Sequence, residues 1–345
     1  MKTISLTFDY ELFFKRSGTF DNSLFRPTNE LIKIFDIYAI KATFFIDVLY
    51  YQRLLEANVE EAKILREQLQ LLVSKGHRIE LHLHPHWLDA KYERPEWIFP
   101  NYDHYRLQSL PEDKVMDLFI SGTEILNEIS REVDNNYKVV AFRAGGWCIT
   151  PFDKLKQGFL KSGIIIDSSI APGIKIRESP FEFDFTHAPN REYYKYSNNP
   201  IIPDDNGIFY EIPITTYSKN FFEKVLKRFL KYCLIMCNAN SRTYGDGTYM
   251  SINNHTIFKR IYSLFITSYE FLSIENNAPD FLIKEIEKIR NDLLVIMAHP
   301  KGLTQNSLEC IKALYVQKHH LLTLFDMFKQ ATLTDDMPPN LTRHL

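Results

Sequence analysis

Strong charge of either sign is missing from this chain of 345 residues, where 41 lysines and arginines face 43 aspartates and glutamates for a formal charge of −2. That balance lacks the basic surface that binds nucleic acid or an anionic membrane, so no nucleic-acid partner is expected. Cysteine is scarce, with Cys148, Cys233, Cys237 and Cys310 as the only four. Their spacing matches neither a disulfide framework nor a zinc ribbon. Cys233 and Cys237 stand one helical turn apart in an apolar stretch and read as core thiols. No apolar run reaches the roughly 20 residues that span a bilayer, so no membrane span is expected. The N-terminus shows no charged segment leading an apolar one; it runs directly into Thr3-Ile4-Ser5-Leu6-Thr7-Phe8-Asp9. The expected location is the cytoplasm. With no internal repeat and no clean linker, one domain over 1–345 is expected.

What is present points to a soluble globular protein with a large core: 45% hydrophobic and 24% charged residues. Aromatics reach 14%, with 19 Tyr and 26 Phe. They suit an aromatic core, and equally a carbohydrate groove whose flat apolar faces match sugar rings. Strand-like runs at 3–8, 41–46, 79–83, 139–143, 164–167, 210–214 and 293–298 alternate with helical spacing at 29–38, 59–74, 111–133 and 151–161. Gly76 is placed to end the 59–74 helix. Repeated strand–helix units predict an α/β fold with a mainly parallel sheet or barrel, whose reactive groups gather at the C-terminal ends of the strands. Two segments break the rhythm: a long polar loop at 180–207 and a helical, aromatic insertion at 218–273.

The strand ends are polar as a set. Asp9 and Glu11 fall on one face at the end of the first strand, and two such acids repel unless a cation lies between them. The third strand runs through Gly76-His77-Arg78-Ile79-Glu80-Leu81-His82-Leu83-His84-Pro85-His86, three histidines within five positions. The remaining exits are Arg143-Ala144-Gly145-Gly146-Trp147, Asp167-Ser168-Ser169 and His299-Pro300-Lys301-Gly302. Each has an ordinary explanation as a turn, a helix cap or a hydrogen-bonded histidine. Together they point to a metal-dependent hydrolytic site, because neutral imidazole is the commonest protein ligand for zinc and its neighbours.

In this order the motifs resemble those of the polysaccharide deacetylases, carbohydrate esterase family 4, the NodB-like homology domain. Thr7-Phe8-Asp9 is similar to the first motif, Lys41-Ala-Thr-Phe-Phe to the second strand, and Gly76-His77 through His82-Leu-His-Pro-His86 to the metal motif. Phe142-Arg-Ala-Gly-Gly-Trp147 resembles the arginine motif, Ile166-Asp-Ser-Ser the fourth, and Met297-Ala-His299-Pro the fifth. The matches span about 3 to 303. The resemblance implies an irregular (β/α)7 barrel of mainly parallel strands and hydrolysis of an N-acyl amide, usually N-acetyl on an amino sugar or glycan precursor, with a divalent metal that is usually zinc. It implies His82 and His86 as metal ligands, Asp9 as general base, His299 as general acid, Arg143 as the partner of Asp9, and Asp167 as the partner of His299. A backbone N–H near Gly146 or Trp147 would bind the oxyanion. In a cytoplasmic protein the substrate would be a nucleotide- or lipid-linked sugar of surface-polysaccharide assembly.

One departure stands out. The family has a second aspartate directly after the first as a metal ligand; here that position is Tyr10, a poor zinc ligand at neutral pH. Glu11 is the expected substitute, and an exchange of roles between Asp9 and Glu11 stays open. Strand periodicity puts His82 with His84, whereas the family pattern puts His82 with His86. Because Pro85 resets the chain direction, the expectation follows the pattern and leaves His84 as a supporting residue. Two alternatives share the fold: a deformylase or other hydrolase of non-peptide C–N bonds, and a non-catalytic carbohydrate-binding relative.

Overall fold

The computed structural model describes residues 1–177, 181–219, 242–249, 268–275 and 277–332. Nine strands form its main sheet: β1 (Thr3–Tyr10), β2 (Thr43–Asp47), β3 (Arg78–Leu83), β4 (Ala141–Ala144), β5 (Ile166–Asp167), β6 (Tyr194–Tyr196), β7 (Phe209–Glu211), β8 (Leu293–Ala298) and β9 (His320–Leu322). Their spatial order is β6-β7-β5-β4-β3-β2-β1-β8, with β9 alongside the start of β1. All neighbours run parallel except β6 and β7. The sheet curls toward closure beyond its paired strands: Thr215 N donates to Val295 O at 3.0 Å, and Val295 N donates to Thr215 Oγ1 at 2.8 Å. This is a mainly parallel α/β barrel, as the strand–helix rhythm predicts, and its incomplete closure is the irregularity that the resemblance implies.

Alternation along β1 sets the two faces. Ile4, Leu6, Phe8 and Tyr10 point outward into the helix-covered core, where Phe8 stacks on Phe44 with ring centroids 5.1 Å apart. Thr7 and Asp9 point into the barrel, toward the Arg143 guanidinium. A second apolar cluster of Phe45, Ala141, Ile166, Tyr210 and Val295 lies on that inner side, closed by Leu324, Met327 and Phe328 of the last described helix, Leu324–Thr332. A side chain one position out of phase therefore lands on the opposite face.

The covering helices follow their apolar stripes. Val59–Ser74 begins at Asn58, whose side chain accepts from Glu61 N, and buries Ala62, Leu65, Leu69 and Leu72 at helical spacing. Each buried leucine contributes roughly 1.5–3 kcal/mol. Gly76 follows with φ of 79°, the left-handed turn that lets the chain enter β3.

The strand expected at 293–298 and the helix at 59–74 match the observed bounds; the boundaries of the other elements shift by at most three residues. The expected 180–207 loop is partly ordered as strand: Phe183–Asp184 pairs with Lys175–Ile176, and Tyr194–Tyr196 is β6. Of the expected 218–273 insertion, residues 220–241 and 250–267 lie outside the described residues, as do Cys233 and Cys237. Its described ends pair as antiparallel strands, Thr216–Lys219 with Ser268–Phe271. Cys148 and Cys310 are buried free thiols. No helix among the described residues is long and apolar enough to cross a membrane.

Candidate active site

The exits of β1, β3, β4 and β8 meet at one end of the barrel around a cavity of about 170 Å³. Its lining includes Asp9, Glu11, His82, His84, Gly146, Trp147, His299 and Lys301, with Phe14, Tyr105, Phe181 and Tyr249 as aromatic walls. Glu11, two residues beyond Asp9, keeps the inward phase of β1 and is buried. Its Oε2 lies 3.0 Å from His82 Nε2 and 2.5 Å from His84 Nε2. One atom from each of Glu11, His82 and His84 falls within 4.8 Å of the others, a spacing that can hold a metal ion.

The donor set tests well against a zinc-like ion. His82 donates Nδ1–H to Arg143 O at 2.7 Å, which orients the ring with Nε2 on Glu11 Oε2. Burial pulls this imidazole down, but the hydrogen bond to Glu11 and the charges of Asp9 and Glu11 raise its pKa, so metal would have to displace a proton there. Neither ring nitrogen of buried His84 makes a hydrogen bond, although Nε2 is so close to the carboxylate. Buried polar atoms without partners are rare, and atoms that approach without hydrogen-bond alignment fit convergence on a shared cation. Burial alone would raise the Glu11 carboxyl, but Lys301, His84 and His82 hold it well below the usual carboxylate range. Burial pushes His84 down to about 4, so it is neutral at neutral pH, as ligation requires.

His86 neighbours His84, ring centroids 5.1 Å apart, but its nitrogens are not among the grouped ligand atoms of Glu11, His82 and His84. Pro85 starts a short helical turn, Pro85–Asp89, that carries His86 away among Phe14, Phe99 and the stacked ring of Tyr105. The family pattern pairs His82 with His86; the structure brings His84 to His82 instead, and His86 packs in an aromatic pocket. The β alternation continues through His84 because the proline begins its turn only after it. A glycine makes room: a Cβ on Gly145 would meet Leu83 O at 2.5 Å and His84 Nδ1 at 2.7 Å.

Asp9 and Arg143 form a buried pair, Nη1 donating to Oδ1 at 2.7 Å. Nη1 also donates to Thr7 Oγ1, Nε to Ser168 O and Nη2 to Ser168 Oγ, and the guanidinium lies 4.2 Å from the Phe45 ring centroid. His299 presents Nε2 to the cavity, 3.4 Å from Glu11 Oε1 and 3.8 Å from Asp9 Oδ2. Its Nδ1 is held by Glu275 Oε1 at 2.8 Å. Burial pulls the imidazole down, but Glu275 and then Glu11 outweigh it and the pKa is raised.

Asp167 does not reach His299. It lies opposite Phe142 in the register of β4 and β5, and Phe142 packs on Phe119 and Phe159 outside the barrel. The odd phase turns Asp167 outward, beside Glu211 on β7. Burial, and then the charge of Asp167, raise Glu211 well above the usual carboxylate range. Glu275 occupies the place beside His299 that the motif assigns to Asp167.

Tyr10 is likewise outward and buried, donating its hydroxyl to Gln68 Oε1 at 2.8 Å. It is a core residue with no place in the cavity. Tyr10→Phe should cost about 1–2 kcal/mol by leaving Gln68 short of a donor, with zinc affinity unchanged; denaturant unfolding and metal titration measure the two. Gly146 and Trp147 line the cavity in left-handed conformations, φ 58° and 59°. Only glycine fits at 146, where a Cβ would meet the Tyr105 hydroxyl at 2.5 Å.

Glu275, Lys301, Asp47 and Tyr105 were not singled out from sequence. Lys301 had a signal, two residues past His299 at a polar strand end. Asp47 also ends a strand, in register with His82, and accepts from Trp87 Nε1 at 2.5 Å. Glu275 follows a short strand and belongs to no motif.

No family model matches the chain, and no curated protein matches it. Among solved structures, a candidate polysaccharide deacetylase from Mycobacterium smegmatis is similar at 13% identity, covering 98% of this chain and 93% of that one with a TM-score of 0.49. The PuuE allantoinase is similar at 12% identity, 97% and 92% coverage and a TM-score of 0.48. Peptidoglycan deacetylase PdaC from Bacillus subtilis is similar at 11% identity, 97% and 93% coverage and a TM-score of 0.37. Likenesses of this size bear on neither substrate nor mechanism.

Proposed function

We propose that the chain is a metal-dependent N-deacylase of the polysaccharide deacetylase family, hydrolysing the N-acyl amide, N-acetyl foremost, of an amino sugar or glycan precursor. The observation that carries this reading is the meeting of Glu11, His82 and His84 with the Asp9–Arg143 and His299–Glu275 pairs around one cavity. Glu11, His82 and His84 would hold a divalent metal, zinc foremost, which when bound polarises the acyl carbonyl and acidifies water.

The chain's own groups divide the proton work. Arg143 occupies Asp9 Oδ1, leaving Oδ2 toward the cavity as the base that takes a proton from water. Glu275 fixes His299 through Nδ1 and favours its protonated form, leaving Nε2–H to protonate the departing amine. A backbone N–H of the Gly146–Trp147 turn would steady the oxyanion. The aromatic walls would exclude water and offer flat faces to a sugar ring.

The zinc-loaded protein, tested on N-acetyl and N-formyl amino sugars, should release acetate at a rate that chelation abolishes. Release of formate alone would move the reading to a deformylase, and a metal-loaded protein inert to the whole panel would overturn it. Glu275→Gln should lower kcat by about tenfold to a hundredfold. It should also move the alkaline limb of the pH–rate profile to lower pH. The sign follows from the raised His299 pKa: the acid form is lost as pH rises through it, and without Glu275 that loss comes earlier.

A further inference from the structure

Lys301 is buried with its ammonium against a proposed metal ligand. Nζ donates to Glu11 Oε1 at 2.8 Å and to Leu12 O at 2.6 Å, and the Phe13, Phe14 and Tyr249 ring centroids lie 5.2, 4.9 and 5.6 Å away. The carboxylate is thus divided: Oε2 faces His82 and His84, and Oε1 takes the Lys301 hydrogen bond with His299 Nε2 farther off at 3.4 Å. An ammonium and a divalent cation on the two oxygens of one carboxylate repel, and both Lys301 and Glu11 are buried, where screening is weak.

Resting on the metal reading above, we infer that Lys301 is a positioning residue that confines Glu11 to ligation through one oxygen and weakens metal binding at this centre. It serves as the counter-ion of Glu11 when no metal is bound, so the empty site does not leave a buried charge uncompensated. By holding Oε1, Lys301 would leave Glu11 only Oε2 with which to hold a metal.

Lys301→Met tests this with a side chain of similar length that keeps the apolar packing and loses the charge. Cobalt(II) and zinc should each bind the variant more tightly than the wild type, on the order of tenfold. The visible cobalt absorption should weaken per bound ion as the second Glu11 oxygen raises the coordination number. The metal-free variant should melt earlier than the metal-free wild type, and added zinc should raise its Tm by more. Lys301→Gln, which keeps a donor for Leu12 O, repeats the test should the methionine variant fail to fold. Equal affinities and equal cobalt spectra in wild type and variant would overturn the inference and leave the metal reading intact. Failure of both proteins to bind either ion would overturn the two together.

Discussion

Replacing His84 with alanine should reduce zinc affinity by more than about 100-fold and abolish hydrolysis, whereas His86→Ala should leave both within a few-fold of wild type. The asymmetry rests on position. His84 Nε2 is 2.5 Å from Glu11 Oε2, and Glu11 Oε2 is 3.0 Å from His82. His86 belongs to an aromatic pocket, with both ring nitrogens unpartnered among the described residues. The loss in His86→Ala should be one of stability, about 2–4 kcal/mol for a cavity left among Phe14, Phe99 and Tyr105. That loss should shrink in acid. Burial holds the His86 pKa well below its ordinary value, so the wild type loses stability as pH falls below about 6.5, where the unfolded imidazole charges. The alanine variant has one such group fewer. Zinc titration and denaturant unfolding at neutral and mildly acid pH measure the two halves of the prediction.

The largest stability effect should come from Arg143→Met, about 3–5 kcal/mol. The guanidinium is fully buried and meets Asp9, Thr7 and Ser168 at once. Its removal leaves the Asp9 carboxylate in the barrel without its counter-ion and Ser168 O without a donor. Hydrolysis should fall by about 100-fold to 10,000-fold, because Asp9 loses the contact that orients it as a base. The double variant Asp9→Asn, Arg143→Met separates the effects. It should recover part of the lost stability, since no buried charge is left unpaired, and it should stay inactive. Unfolding curves for the two single variants and the double variant give the coupling.

The strand ends were legible because a period of two is short and its errors are few. Asp9, Glu11, His82 and His299 line the cavity from strands recognisable by alternation, and Arg143 reaches Asp9 from behind by the same rule. The same rule places Tyr10 outward, so the residue that departs from the family pattern is a core residue and Glu11 continues the inward phase. At two positions the geometry follows the periodicity rather than the motif. Alternation holds as far as His84, and Pro85 then removes His86 from the group; Asp167 stands one position out of phase with Ile166 and faces the helices. Glu275 was beyond reach because only the tertiary fold brings it to His299, from a segment that follows the strand Ser268–Phe271 and carries no pattern of its own. Lys301 was in plain view at a polar strand exit, but nothing in the sequence shows that its stem would turn back to Glu11.

The central claim is a metal centre built from Glu11, His82 and His84. Anomalous diffraction at the zinc edge from crystals grown with zinc tests it most directly. One strong peak should lie between Glu11 Oε2, His82 Nε2 and His84 Nε2, beside the Asp9 carboxylate. A peak on His86, or a cavity that stays empty at saturating zinc, would contradict it.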